Sequence, residues 1–322
     1  MPLRAFIASL VMAVSGAAAH AETVAYGEAF DTLYAFDLST RAAGPVGPAG
    51  TWGGTPLANV EGLTFSPDGQ HLYAVSDTLL KVLMTIDRTT GAASVIGPLG
   101  GQSGLGESGQ GSFNVLDLGL SFTCDGKLWM SSGATGSFWQ VDPATAAVTK
   151  VGNLGVTVTG LTARGNQLFG AGSHGNSSLY KIDTATGHAT AVGPYGNGVD
   201  PITTASPGFD ASGQMWSVLD NVPPLPPQVT QPQWSSLAQI SEHGSLTVVG
   251  DIATPAGLKY PSNATQLPYV GLKGLAITSP CAVAAAPTVR PAPAISLNGS
   301  LLLVLLFIFA AGTSLKLRRQ TI

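Results

Sequence analysis

The side chains able to do chemistry in this sequence are few, and their spacing limits what they can do. Glu61, Asp117, His174 and Asp200 are polar groups expected near the axis or rim of the ring that the internal repeats imply. Trp52, Phe113, Tyr195, Trp234, Tyr260 and Tyr269 fall in irregular connections of the same ring. Aromatic rings on exposed loops stack on sugars or anchor a protein partner; the alternative is that each packs its own loop against the body. Catalysis asks for more. The sequence has no Gly-x-Ser-x-Gly elbow, no phosphate-binding loop and no dinucleotide fingerprint. None of the 5 histidines falls at His-x-x-x-His spacing, so no catalytic residue, metal or cofactor is assigned. The recurring Asp-x-x-Thr-Gly segments lack the dense alternation of oxygen ligands that a calcium loop needs, and they read as turns.

The elements that must position these residues show themselves as repeats. LYAFDLSTRAAGPVG from Leu33, LMTIDRTTGAASVIG from Leu83, FWQVDPATAAVTKVG from Phe138 and LYKIDTATGHATAVG from Leu179 share one pattern, and LAQISEHGSLTVVG from Leu237 is a shorter copy. Each reads as a strand, an Asp-initiated turn and a second strand ending in Val-Gly or Ile-Gly. A second hairpin pattern precedes most copies, with turns at Asp68-Gly69, Asp125-Gly126, Gly165-Asn166 and Ser212-Gly213, where residues reach positive φ cheaply. Two hairpins in series make a four-stranded unit with a period of about 49 residues.

The first unit lacks its innermost strand at the N-terminus, and GLKGLAITSP from Gly271 supplies one at the other end. The chain is therefore expected to be all-β: a β-propeller of five four-stranded blades, closed by pairing its N- and C-terminal strands. Four or six blades, or an open β-sandwich, are the alternatives. Within 23–279 the repeats resemble those of propellers common among bacterial exported proteins, with runs such as LYxIDxxTGxAxxVG. That resemblance implies a fold and leaves activity open.

In the repeat register, Glu61 aligns with Leu118, Thr159, Ala205 and Lys273 on the innermost strands. One carboxylate is no ring of oxygen ligands for a hard cation, and Glu61 is expected to pair with Lys273 across the channel mouth. The short turns gather on one face of the disc and the long connections on the other, where binding sites usually lie.

Residues 1–21 read as a secretory signal, with Arg4, an apolar run and Ala19-His20-Ala21 as the cleavage pattern; 22–279 form the propeller and 280–294 a Pro/Ala-rich spacer. Residues 295–322 read as a transmembrane helix with a basic end at Lys316, Arg318 and Arg319, which places the body outside the cytoplasm. Pro293, Ser296 and Gly299 lead into this run, and the whole segment resembles the IPTL-CTERM type of bacterial sorting tail, departing from it at Ala294, Ile295, Leu297 and Asn298. The resemblance implies an envelope sorting protease that recognises the tail; a plain anchor is the alternative. The expected location is the outer face of the inner membrane or the envelope, with release to the surface after processing.

An exported protein with two cysteines, Cys124 and Cys281, invites a disulfide. Their innermost strands lie two blades apart, so only the freedom of Cys281 beyond its strand end could close the gap. The net charge of -4 carries no basic cluster outside the extreme tail, which argues against nucleic acid. These features together point to a non-catalytic propeller presenting a recognition surface to an extracellular glycan or protein. A hydrolase or lyase with an axial-channel site, and a self-associating matrix component, are the competing readings.

Overall fold

The computed structural model describes residues 24–77, 80–110, 114–173, 175–196, 202–221, 235–253 and 271–283. The chain divides into two compact units, Met1–Ala285 and Ala286–Ile322. The second unit lies outside the described residues, as do the expected signal segment, the sorting-tail residues and most of the spacer.

The strands follow the repeats closely. Blade 1 contains β1 (Val24–Ala29), β2 (Thr32–Asp37) and β3 (Ala43–Pro48), and a small hairpin of β4 (Thr51–Trp52) and β5 (Thr55–Pro56) follows it. Blade 2 is β6 (Val60–Phe65), β7 (Leu72–Asp77), β8 (Lys81–Ile86) and β9 (Ala93–Pro98). Blade 3 is β10 (Leu118–Phe122), β11 (Leu128–Ser132), β12 (Ser137–Val141) and β13 (Val148–Asn153). Blade 4 is β14 (Gly160–Arg164), β15 (Gln167–Ala171), β16 (Ser178–Ile182) and β17 (Ala189–Pro194). Blade 5 is β18 (Ile202–Phe209), β19 (Met215–Asn221), β20 (Ser236–Ile240) and β21 (Leu246–Asp251), and β22 (Lys273–Ala276) ends the series. Each blade is antiparallel with its strands in sequence order, except that β22 lies innermost in blade 1, beside β1. The ring is five-bladed and closes by pairing β1 with β22, Tyr26 facing Ala276 and Glu28 facing Lys273.

Both faces of a blade are covered by its neighbours, so the inner strands are apolar without alternation: every residue of β6 and β10 is buried. The core is five separate clusters, one at each blade boundary. The cluster that joins Tyr34 and Phe36 of blade 1 to Val218 and Leu237 of blade 5 is the boundary an open sandwich would lack. Each large apolar side chain buried there contributes about 1.5–3 kcal/mol, against the cost of ordering so long a chain.

The Val-Gly that ends each repeat has a definite mechanical role. In every blade the two outer strands slip register by one residue opposite that dipeptide, as where Leu33 faces Gly47 and Tyr34 already faces Pro45. The valine or isoleucine is the bulged residue, and the bend carries the following glycine onto the outer turn of the next blade. A Cβ on Gly47 would stand 2.0 Å from Thr90 O, and one on Gly152 would stand 2.2 Å from Thr186 O. A backbone hydrogen bond crosses each boundary beside this contact: Ala93 N to Ala49 O, Gly100 N to Ala146 O, Ala189 N to Leu154 O, Leu246 N to Tyr195 O and Ala253 N to Arg41 O. The fifteen-residue repeat is therefore a latch as much as a hairpin. Its Asp caps the turn, Asp87 Oδ1 accepting Thr89 N at 2.7 Å and Thr90 N at 2.9 Å, and these amides hold the Asp87 carboxyl below its usual range.

Beyond β22 the chain runs under the inner hairpin turns. Gly165 N donates to Pro280 O at 2.9 Å, and Cys281 is bonded to Cys124 with their Cα atoms 5.0 Å apart. The disulfide spans from the closing strand of blade 1 to blade 3, through the extra reach of the residues past Ala276.

Candidate functional site

The innermost strands β22, β6, β10, β14 and β18 surround the axis, and their first residues lie on the side of the long connections. Glu61 is 6% exposed there and uses both oxygens. Oε1 accepts Asn59 Nδ2 at 2.9 Å and pairs with Lys273 Nζ, and Oε2 accepts Leu118 N at 2.7 Å. One carboxylate thus joins blade 2 to both of its neighbours, and the pairing with Lys273 is the one the repeat register implies. Lys273 Nζ also reaches Asn59 Oδ1 at 3.4 Å.

Other acids reinforce the same seams. Asp77 Oδ2 accepts Leu116 N at 2.7 Å, and its Oδ1 lies 3.0 Å from Lys81 Nζ. Asp220 accepts the hydroxyl of Ser235, whose Oγ takes Leu272 N at 2.8 Å and so ties blade 5 to the closing strand. Asp117 is half-buried at the mouth with a φ of 53°, a left-handed conformation that is uncommon outside glycine.

Burial pushes the Glu61 carboxyl up to about 7, opposed by Lys273 and assisted by Asp77. Burial likewise lifts Asp220 to about 6 against its hydrogen bond from Ser235, and burial with the Glu61 charge raises Asp117. Burial disfavours the Lys273 ammonium, but Glu61 and Asp117 outweigh it and hold the group above its ordinary value.

One residue further along, Gly62, Gly119, Gly160 and Gly274 let the inner strands approach closely. A Cβ on Gly62 would lie 2.5 Å from Leu120 Cβ, and one on Gly274 would lie 2.6 Å from Glu61 O. Ser206 takes the fifth place and its Oγ accepts Gly274 N at 3.1 Å. Below its polar mouth, then, the axis is occupied by backbone. Among the described residues no three His, Cys, Asp or Glu side chains converge as a metal site would require. This constellation holds blades together and presents a partly charged rim.

The expected aromatic face divides unevenly. Trp52 is 40% exposed on the β4–β5 hairpin, whose turn is Gly53-Gly54 with φ of 59° and 83°. Paired positive φ values give a turn whose twist matches its strands, so the indole is carried on a rigid tip. Tyr195, expected on this face, is instead 1% exposed and donates its hydroxyl to Gly172 O at 3.1 Å, packing between blades 4 and 5. Its position just after the Val-Gly-Pro end of β17 places it at a blade boundary and not on the rim. Phe113, His174, Asp200, Trp234, Tyr260 and Tyr269 lie outside the described residues. Asn59, Asp77 and Asp220 escape the sequence reading, although Asp77 and Asp220 hold the same place, closing the second hairpin pattern of blades 2 and 5. A signal exists for Asn59 and Asp117: both immediately precede an inner strand, and both adopt positive φ, Asn59 at 54°.

No curated protein matches the sequence. Among solved structures, the nidogen/laminin complex is similar to this chain at 10% identity and a TM-score of 0.48, over 79% of this chain and 98% of that one. A Bacteroides thetaiotaomicron protein of unknown function is similar at 14% identity and a TM-score of 0.42, over 61% of this chain and 53% of that one, so the match spans about half its length. Virginiamycin B lyase from Staphylococcus aureus is similar at 14% identity and a TM-score of 0.39, over 68% and 63%. A family model described as a repeat of unknown function, DUF6923, matches residues 19–218, and the chain belongs to that family.

Proposed function

We propose that this protein is a non-catalytic recognition module of a bacterial envelope, exported by residues 1–21 and held by a helix within 295–322. The tail residues Pro293, Ser296, Gly299, Lys316, Arg318 and Arg319 are read by an envelope sorting protease. The side of the disc bearing the long connections engages an extracellular glycan or protein. The observation that carries the reading is Trp52, a large apolar ring left 40% exposed on a preformed hairpin on that side. Exposed aromatics on rigid supports bind with little ordering cost.

Two further observations support it. The Cys124–Cys281 disulfide suits an oxidising compartment. Glu61 has both oxygens engaged by protein groups, which suits a structural tie better than a reacting acid.

Retention of the purified chain on insoluble cellulose, chitin and peptidoglycan, compared with Trp52→Ala, tests the recognition face. Retention on at least one polymer, reduced about tenfold by the variant as expected for loss of a stacking anchor, supports the reading. Equal retention of both proteins on every polymer refutes the role given to Trp52.

A further inference from the structure

A second recognition feature lies in the connection between blades 2 and 3. A cleft of about 510 Å³ opens there between Lys81 and the loop following Pro98. That volume falls within the range of small-molecule sites. We infer that this cleft binds a neutral saccharide unit, which deepens the proposed recognition function and rests on it.

The cleft is preformed. Leu99 N donates to Lys81 O at 2.9 Å, and Gly100 N donates to Ala146 O at 3.2 Å. At the other end Gln110 and Val115 exchange backbone hydrogen bonds of 2.7 and 2.9 Å. Lys81 Nζ donates to Asn114 O at 2.7 Å, and Asn114, at a φ of 55°, accepts Gly109 N with its side chain. Both strands of the loop are therefore tied to blade 2, to blade 3 or to each other before any ligand arrives, which lowers the ordering cost of binding.

The lining selects the chemistry. Its two charged side chains are already compensated: Lys81 by Asp77 at 3.0 Å, and Glu107 by Lys150 at 2.7 Å together with the hydroxyls of Thr135 and Ser137. A phosphate or a free cation would have to displace one of these partners. What remains are the side-chain amides of Gln102 and, through Nδ2, Asn114, and the hydroxyls of Ser103 and Ser108, with exposed Pro98 and half-buried Leu105 as the apolar lining. Neutral donors and acceptors beside a small apolar lining complement a sugar ring, which has hydroxyls on its edge and C–H groups on its face. An extended peptide would instead need an open strand edge or a deep apolar pocket.

The test uses the full chain in a sugar-free detergent, titrated calorimetrically with cellohexaose, maltohexaose, chitohexaose and laminarihexaose, and with hexagalacturonate as the acidic comparison. At least one neutral hexasaccharide is expected to bind. Gln102→Ala should weaken it about tenfold, the size of one or two lost hydrogen bonds, and Ser103→Trp should abolish it by filling the cleft. Thermal melts establish that both variants fold; if Ser103→Trp does not, Gln102→Ala decides. Absence of neutral binding, preference for hexagalacturonate, or binding indifferent to the cleft variants overturns the inference. Retention on a polymer through Trp52 with no hexasaccharide uptake would remove the cleft and leave the recognition face standing. Hexasaccharide uptake lost in the cleft variants, with polymer retention indifferent to Trp52→Ala, would do the reverse.

Discussion

The disulfide offers the sharpest test of how the ring is closed. The closing strand β22 has four residues and only two registered partners on β1, with a register irregularity between them. Cys281 lies five residues beyond the end of β22 and is joined to Cys124 across a separation of 157 residues. Replacing both cysteines by alanine frees the unfolded chain of a loop of that size. The chain-entropy relation gives about 17 cal/mol/K, or about 5 kcal/mol at 25 °C, as the stabilisation removed. Measured effects commonly fall short of such values, so a loss of about 3–5 kcal/mol is expected. With a urea slope of about 2–3 kcal/mol/M for a domain of this size, the midpoint should fall by roughly 1–2 M. Tryptophan fluorescence in urea, with the wild-type and Cys124→Ala/Cys281→Ala chains in parallel, measures it. A loss below about 1 kcal/mol at unchanged slope would refute the reasoning, because it would mean that the cross-link constrains little of the unfolded ensemble.

Gly47→Ala, whose new Cβ would meet the carbonyl of Thr90 at 2.0 Å, should cost about 1–3 kcal/mol by overpacking the latch, whereas Gly44→Ala in the same strand meets nothing within 4 Å and should be neutral; paired thermal melts read both. Glu28 is fully buried on β1 with neither carboxyl oxygen hydrogen-bonded, and burial, then Asp31, raises its pKa well above the ordinary value. The folded state therefore holds a proton that the unfolded state releases, so stability falls as pH rises above about 4.5, by up to about 1.4 kcal/mol per unit from this group until its folded pKa is passed. Glu28→Gln should flatten that slope in melts between pH 4.5 and 8, and an unchanged slope would count against it. Glu61→Ala leaves Lys273 and Leu118 N without their partner and should cost about 3 kcal/mol, the lower end for a broken buried pair because Lys273 is 26% exposed. Thermal melting of that variant measures it, and a loss under 1 kcal/mol would remove the tie between blades.

Local chemistry made the blades legible from the sequence. Asp87 and its equivalents must cap a turn, Asp-Gly pairs must reverse a hairpin, and residues such as those of β6 must be covered on both faces, so repeat length, blade number and the closing role of Lys273–Ala276 could be read from one chain. The pairing of Glu61 with Lys273 followed from the same register. Contacts between repeats were another matter. The sequence shows Val-Gly recurring but not that its glycine receives the turn of the next blade, and it shows glycines at 62, 119, 160 and 274 but not that they close the axis. Tyr195 looks like a loop aromatic in sequence and is a boundary side chain in space. Asp77 finds Leu116 N 39 residues away, and Ser235, set opposite Asp220 by the β19–β20 pairing, takes Leu272 N 37 residues away; only the packing of one blade on the next brings such groups to hydrogen-bond range. A hairpin is decided by neighbours in sequence, whereas a blade boundary is decided by how far each sheet twists before it meets the next, and that depends on all five at once.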